Sequence, residues 1–396
     1  MSPIYLDHNA TTPIDPKVAE AMAQCLATVQ ANPGSQHSLG RMARRRLDDA
    51  RDAIVQALGG GDSDQLVLTS GGTESNNLAL RGLAGERPGK IAVSSIEHPS
   101  VSSLASFLEK KGWTVEWIHN DHRGVIDVDH VRRCVLDGCD LVSVIYASSE
   151  TGVLQPIGEI ATICRDHDVP LHSDAAQAVG KIDLNFRDLG ATAITLAAHK
   201  FHGPVAVGGL LVHQDQSLQP LLRGGPQQFE LRPGTESVAL AVGLQTALAL
   251  WRSEAAERHD RMIHLRDRFE RLLCEALPDL TIHGSDAPRL PNTSNIAFGG
   301  LDRQTLFMRL DMVGVCCSTG TACSSGSSQP SPVLLAMGLP QAVVESSLRF
   351  SLGSTTRQPE MDQAVDRIIE TVKELRRGSA LRKRRLPPRV RGSKGV

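Results

Sequence analysis

Between Gln65 and Val212 the chain repeats one pattern: a short apolar, β-branched run, a turn rich in small or polar residues, then a helical period. The runs fall at residues 66–69, 90–94, 114–118, 141–145, 169–172, 192–197 and 209–212. Strands separated by helices of this length join through crossovers rather than hairpins. The pattern therefore predicts an α/β fold with a mostly parallel seven-stranded sheet and helices on both faces. In an open sheet of that kind, ligands bind beyond the carboxyl ends of the strands. Two chemically distinctive residues fall there. Asp174 lies in Leu171-His172-Ser173-Asp174-Ala175-Ala176-Gln177, and Lys200 in Ala198-His199-Lys200-Phe201-His202-Gly203-Pro204.

Alone, Asp174 reads as a helix cap and Lys200 as a solvated surface amine. Together, a carboxylate at one strand end and an amine at another suit pyridoxal phosphate, the acid keeping the ring nitrogen protonated and the lysine forming the Schiff base. Two neighbouring segments reach the same edge. Ser70-Gly71-Gly72-Thr73, between a strand and a helix, offers backbone N–H groups, a hydroxyl and a helix N-terminus to a phosphate, although the loop alone reads equally as a turn. Glu97-His98-Pro99 brings an imidazole that can stack on a flat ring, although a lone histidine is more often structural.

With 396 residues, 41% hydrophobic and 22% charged, the chain has room for two domains and a substantial core. A formal net charge of −2 gives no reason to expect nucleic acid or an acidic membrane as partner of the folded body. No apolar run approaches bilayer length, and Met1-Ser2-Pro3-Ile4-Tyr5-Leu6-Asp7 lacks the features of a signal peptide, so a cytoplasmic location is expected. The eight cysteines are scattered without Cys-x-x-Cys spacing, which predicts reduced thiols and no metal site. His119, His122 and His130 match no metal template and read as surface residues.

Residues 14–257 read as a large domain. A long helical stretch, 236–277, leads into a smaller α+β unit made of 258–375 with 1–13 folded back beside it. Residues 318–331 form a loop of Ser, Thr and Gly, expected to be mobile. After Glu374 come nine Lys and Arg and no acid, and residues 376–396 read as a disordered basic tail.

Several motifs follow one another in order: Tyr5-Leu6-Asp7-His8-Asn9-Ala10-Thr11-Thr12-Pro13, Ser70-Gly71-Gly72-Thr73-Glu74-Ser75-Asn76-Asn77, Glu97-His98 and Ser149-Glu150-Thr151-Gly152. After them come Asp174-Ala175-Ala176-Gln177, His199-Lys200, Arg232-Pro233-Gly234-Thr235, Ala322-Cys323-Ser324 and Ser347-Leu348-Arg349-Phe350-Ser351-Leu352-Gly353. From about residue 4 to 375 this order resembles the pyridoxal-phosphate-dependent cysteine desulfurases, the nitrogenase and iron–sulfur-cluster branch of the class-V aminotransferase-like family. The resemblance implies the fold-type-I transferase architecture, a homodimer, L-cysteine as substrate and a sulfur-acceptor protein as partner. It makes Lys200 the cofactor lysine, Asp174 the partner of the pyridine nitrogen, Gln177 a donor to the ring hydroxyl oxygen and His98 the stacking residue. Gly72, Thr73 and His199 would hold the phosphate, and Thr235 the phosphate of the other subunit's cofactor. Asn32 and Arg349 would hold the substrate, a planar guanidinium suiting its carboxylate. Cys323 would be the nucleophile that takes the sulfur, a role that a small-residue loop allows. Cys25, Cys134, Cys164 and Cys274 read as buried small hydrophobes, and Cys316 and Cys317 as strand residues.

The chain departs from this pattern at identifiable places. Ser149 stands where the family usually has an asparagine at the ring oxygen, and Ala197-Ala198 where it has a Ser-Gly pair whose serine binds phosphate. Val205 replaces a lysine, and Gly224-Gly225-Pro226-Gln227-Gln228-Phe229-Glu230 a more basic, glycine-rich stretch. The expected function is an L-cysteine desulfurase giving alanine and a Cys323 persulfide. The altered residues keep open a selenocysteine lyase or another lyase or aminotransferase-like enzyme on the scaffold, and less readily a non-catalytic scaffold subunit.

Overall fold

The computed structural model describes residues 2–320 and 329–385, residues 379–385 by backbone alone. Its main sheet has seven strands in the order Gln65–Thr69, Gly208–Val212, Ala193–Ala197, Leu171–Asp174, Leu141–Ser143, Lys90–Ser94 and Thr114–Ile118. Gly208–Val212 runs antiparallel to both neighbours, and every other adjacent pair is parallel. All seven expected strands are present. Asp174 is the last residue of its strand rather than just beyond it, and Lys200 follows Ala193–Ala197 in a short 3-10 turn, Ala198–Lys200.

Side chains alternate across the pleat, and both faces are buried. Leu66, Leu68, Ala92, Val142, Ile194 and Leu196 pack in one apolar body with the helices Ser38–Ala57, Ile157–Arg165 and Val238–Ser253. Val67, Ile91, Val93, Leu141 and Ala193 point the other way, onto Gly72–Leu83 and Pro99–Glu109. This two-sided cover is why the strands read as near-continuous apolar runs.

A further core gathers Ile4, Leu6, Phe269, Phe298, Phe350, Ile368 and their neighbours around an antiparallel sheet, Ser347–Ser351, Thr293–Phe298 and Leu280–Ile282. The N-terminal strand Ile4–Tyr5 pairs in parallel with Val315–Cys316, and Asp7 bridges to Ser351. The long helical stretch expected over 236–277 is present as two helices, Val238–Ser253 and Ala255–Ala276, broken at Glu254 (φ −124°). The break lets each half bury its own stripe: Val242 and Trp251 enter the first core, Phe269 and Leu273 the second.

The last helix, Gln358–Arg385, runs ten residues into the stretch expected to be a disordered tail, which corrects that expectation for residues 376–385. A helix already nucleated and packed through Met361, Val365 and Ile368 continues past Gly378 because most of the residues from 376 to 385 are Arg, Lys, Ala or Leu, all good helix formers. Among the described residues no helix is long and apolar enough to cross a membrane. Cys323 and most of the 318–331 loop lie outside the described residues, as does the tail beyond 385.

Candidate active site

The carboxyl edge of the main sheet holds a cavity of about 250 Å³. Gly72, Thr73, His98, Ser149, Asp174, Gln177, His199, Lys200 and Arg349, drawn from segments far apart in sequence, all line it. Asn32 and Thr235 do not: Asn32 is exposed and caps its own turn through Gly34 N (2.8 Å), and Thr235 is exposed three residues after Arg232, which pairs with Glu74 at 2.9 Å. Larger, shallower grooves elsewhere, such as that between Arg165 and His213, gather no comparable set of groups.

At one end of the cavity the helix Gly72–Leu83 presents its N-terminus with Gly71 at the cap, where no side chain satisfies the first N–H groups. Gly71 has φ +152°, and it passes so close to the strand Gly208–Val212 that a Cβ on Gly208 would meet its carbonyl carbon at 2.7 Å. A Cβ on Gly72 would lie 3.5 Å from Ala197 Cβ and 4.0 Å from Ala176 Cβ, pointing into the space between these walls. Unspent N–H groups, a helix dipole and the Thr73 hydroxyl converge on a cradle that suits an anion. His199 borders it, its Nδ1 3.1 Å from Thr11 Oγ1. Burial, then the charge of Lys200, pushes this imidazole down to about 4, so it is neutral at ordinary pH.

Asp174 and His98 are joined by one chain of hydrogen bonds. Asn76, one turn along the helix from Thr73, donates through Nδ2 to Asp174 Oδ2 (2.7 Å) and to Ser100 Oγ (2.8 Å). The Ser100 hydroxyl has its lone pair so engaged and turns its proton to His98 Nδ1 at 2.7 Å, while Ser100 N–H donates to the same nitrogen at 3.1 Å. His98 thereby caps the helix Pro99–Glu109, and its own proton is left on Nε2. Burial first, with the charges of Lys200 and Arg349, lowers the His98 pKa against the opposing pull of Asp174. Asp174 also accepts from Ala176 N at 3.0 Å and is 5% exposed, a well-braced carboxylate at a cavity wall.

Lys200 Nζ donates to the carbonyls of Asn9 (2.7 Å) and Ala10 (2.8 Å), so the N-terminal segment meets the main sheet at the site. Arg349, 2% exposed, donates to Ser149 O (2.9 Å) and forms an ion pair with Asp7 Oδ1 (2.7 Å). Beneath it Glu150 accepts from Ser331 Oγ (2.6 Å) and stands 3.3 Å from where a Cβ on Gly320 would lie. This buried carboxyl, raised above its ordinary pKa by desolvation, is thus bonded to Ser331 and lies beside Gly320, on either side in sequence of Cys323. Burial also pushes the thiols of Cys316 and Cys317 up, so neither is poised as a thiolate.

Asn9, Asn76 and Ser100 line the cavity without having been singled out from the sequence. Asn76 had a signal available, since it lies three residues beyond Thr73 on the face of the helix that carries the phosphate motif. Asn9 lies inside the N-terminal motif, but nothing local to the sequence brings it next to Lys200.

An open α/β sheet whose carboxyl edge joins an anion cradle, a buried carboxylate, an imidazole and a lysine defines the chain as a sheet-edge, cofactor-type enzyme fold. Comparison with known proteins gives the family. The model of the aminotransferase class-V family matches residues 4–364. The cysteine desulfurase IscS of Dictyoglomus turgidum is 37% identical over 376 residues, covering 94% of this chain and 95% of the relative. The crystal structure of a NifS-like protein from Rickettsia africae superposes with TM-score 0.86 at 31% identity, over 94% of this chain and 99% of the other. A solved structure described as SspA in complex with cysteine has TM-score 0.78 and 31% identity, over 89% and 99%. The chain belongs to the class-V aminotransferase family, among its cysteine desulfurases.

Proposed function

We propose that the protein is an L-cysteine desulfurase that uses pyridoxal 5′-phosphate and passes the sulfur of cysteine to Cys323. The observation that carries this reading is the convergence of Lys200, Asp174, His98 and Arg349 on one cavity beside an uncapped helix N-terminus. The cavity fits the cofactor: its anion cradle has N–H groups to spend, and its far wall offers a braced carboxylate of the kind a protonated ring nitrogen needs. In this reading Gly72, Thr73 and His199 hold the phosphate, Asp174 the ring nitrogen, Gln177 and Ser149 the ring oxygen side, His98 the ring face, and Lys200 is the anchoring amine. Thr235 reaches the phosphate bound by the second subunit of a homodimer, which accounts for its absence from its own chain's cavity.

Pyridoxal phosphate, when bound, supplies an electron sink that makes the Cβ–S bond of cysteine cleavable. The side chains of the protein do the rest. Arg349, with Asn32, receives the substrate carboxylate. The Cys323 thiolate attacks the substrate sulfur: an S–S bond forms, the Cβ–S bond breaks with its electron pair going to carbon, and that carbon takes a proton to become the methyl of alanine. In this reading Lys200 Nζ carries the proton. The sulfur now on Cys323 is handed to an acceptor protein of iron–sulfur cluster assembly or thiolation, in the cytoplasm. Cys323→Ala tests the assignment: alanine formation from cysteine should fall to background with the cofactor still bound, and undiminished alanine formation would overturn it.

A further inference from the structure

Lys200 also borders a second chamber, of about 20 Å³, the volume of a single water. Lys181, Lys200, His8, His202, Asn292 and Ser354 are among its walls, and no carboxylate is. Lys181 is 4% exposed and pairs with no acid among the described residues. Its Nζ donates instead to two neutral amide oxygens, Asn9 Oδ1 at 2.9 Å and Gln177 Oε1. Gly180 puts it there. That residue has φ +77°, and a Cβ on it would meet Phe201 Cβ at 2.2 Å, so the turn carrying Lys181 closes directly onto the residue after Lys200.

A buried amine without a counter-charge is costly, and its two contacts have a consequence. A lysine that donates to both amides compels each to turn its oxygen inward. The Gln177 amide then presents Nε2, which donates to Asn9 O at 2.9 Å, the carbonyl that also receives Lys200. Asn9 presents Nδ2, which donates to Ser149 O (3.2 Å) and Thr293 Oγ1 (2.9 Å), while Asn292 reinforces the oxygen end at 3.2 Å. Asn9 thus ties Gln177, Lys181 and Lys200 of the large sheet's edge to Ser149 and the strand Thr293–Phe298. Burial, then the charges of Lys200 and Arg349, pushes Lys181 well below the ordinary lysine value. Even a neutral amine keeps two N–H groups, enough for both oxygens.

We propose that Lys181 is a positioning residue that fixes the amide orientations of Gln177 and Asn9, so that Gln177 offers a donor to the cofactor ring oxygen and the 9–10 backbone is held to receive Lys200. Only the identity of the ligand that Gln177 faces rests on the function proposed above.

The experiment compares Lys181→Met, Gln177→Leu and the double variant, with Lys181→Gln as the conservative replacement that keeps a donor. In cofactor-free protein, peptide-level hydrogen exchange over residues 6–12 should speed up at least tenfold in Lys181→Met and less in Lys181→Gln, with the main-sheet strands unchanged. In the titration with pyridoxal 5′-phosphate, Lys181→Met should weaken binding about tenfold, the scale of one hydrogen bond. In the Gln177→Leu background the further loss should be clearly smaller, since only the Asn9 contact is then left to lose. Equal losses in both backgrounds, unchanged exchange at residues 6–12, or failure of both Lys181 variants to fold would overturn the positioning role. If the unsubstituted protein binds no pyridoxal phosphate, the proposed function fails, and the exchange measurement alone still decides the role of Lys181.

Discussion

Ala197→Ser should tighten cofactor binding. Ala197 closes the strand Ala193–Ala197 at the anion cradle, is 2% exposed, and faces Gly72 across a space in which a Cβ on that glycine would stand 3.5 Å from its own methyl. The gap admits one hydroxyl. A serine there would add one hydrogen bond to a phosphate already served by the N-terminus of Gly72–Leu83, Thr73 and His199. A bond to a charged group contributes about 1.5–3 kcal/mol, so the dissociation constant for pyridoxal 5′-phosphate should fall roughly ten- to hundredfold. The assay is titration of cofactor-free protein followed by visible absorbance, with pyridoxal lacking its phosphate as control. Tightening for the phosphorylated form alone is the expected result. An unchanged constant, or equal tightening for both, would refute the placement of the phosphate beside Ala197.

Two further predictions concern buried charge. Glu97 is pushed up to about 8, first by burial, and its Oε2 has no partner. Its carboxyl is therefore protonated in the fold at pH values where the unfolded chain has released that proton. The stability this contributes is intact below the ordinary value of 4.5 and is lost as pH rises towards and through 8. At about 1.4 kcal/mol per unit the loss amounts to as much as ~5 kcal/mol. Denaturant unfolding at pH 5 and pH 9 should show Glu97→Gln matching the parent at the lower pH and exceeding it at the higher; parallel profiles would contradict the account. Asp7→Ala leaves the Arg349 guanidinium buried without its ion pair and should cost about 3 kcal/mol in the same assay. Added cysteine, whose carboxylate takes the vacated place, should recover part of that loss, and no recovery would place the substrate carboxylate elsewhere.

The main sheet was legible because its strands are buried on both faces, so Leu66, Val67 and Leu68 all read as apolar and the helical spacing between runs set the topology. Asp174 and Lys200 were legible for a related reason: strand ends in such a sheet converge, whatever separates them in sequence. What local pattern does not carry is side-chain company. Nothing around Asn9 or Lys181 announces that one lies against the other, since their contact depends on Gly180 closing onto Phe201 and on the N-terminal segment crossing to the sheet edge. The break at Glu254 was hidden because no Pro or Gly marks it; two separate cores impose it. The helix beyond residue 375 was misread because composition was weighed without the packed helix that leads into it.

The central claim is that the sulfur of cysteine ends on Cys323 as alanine is formed. The direct measurement is a single turnover with one equivalent of isotopically labelled cysteine under anaerobic conditions, followed by mass mapping of every cysteine-containing peptide and quantification of alanine. The account predicts one labelled sulfur atom on Cys323, none on Cys316 or Cys317, and an equal amount of alanine. Alanine without sulfur on Cys323, or pyruvate in place of alanine, would contradict it.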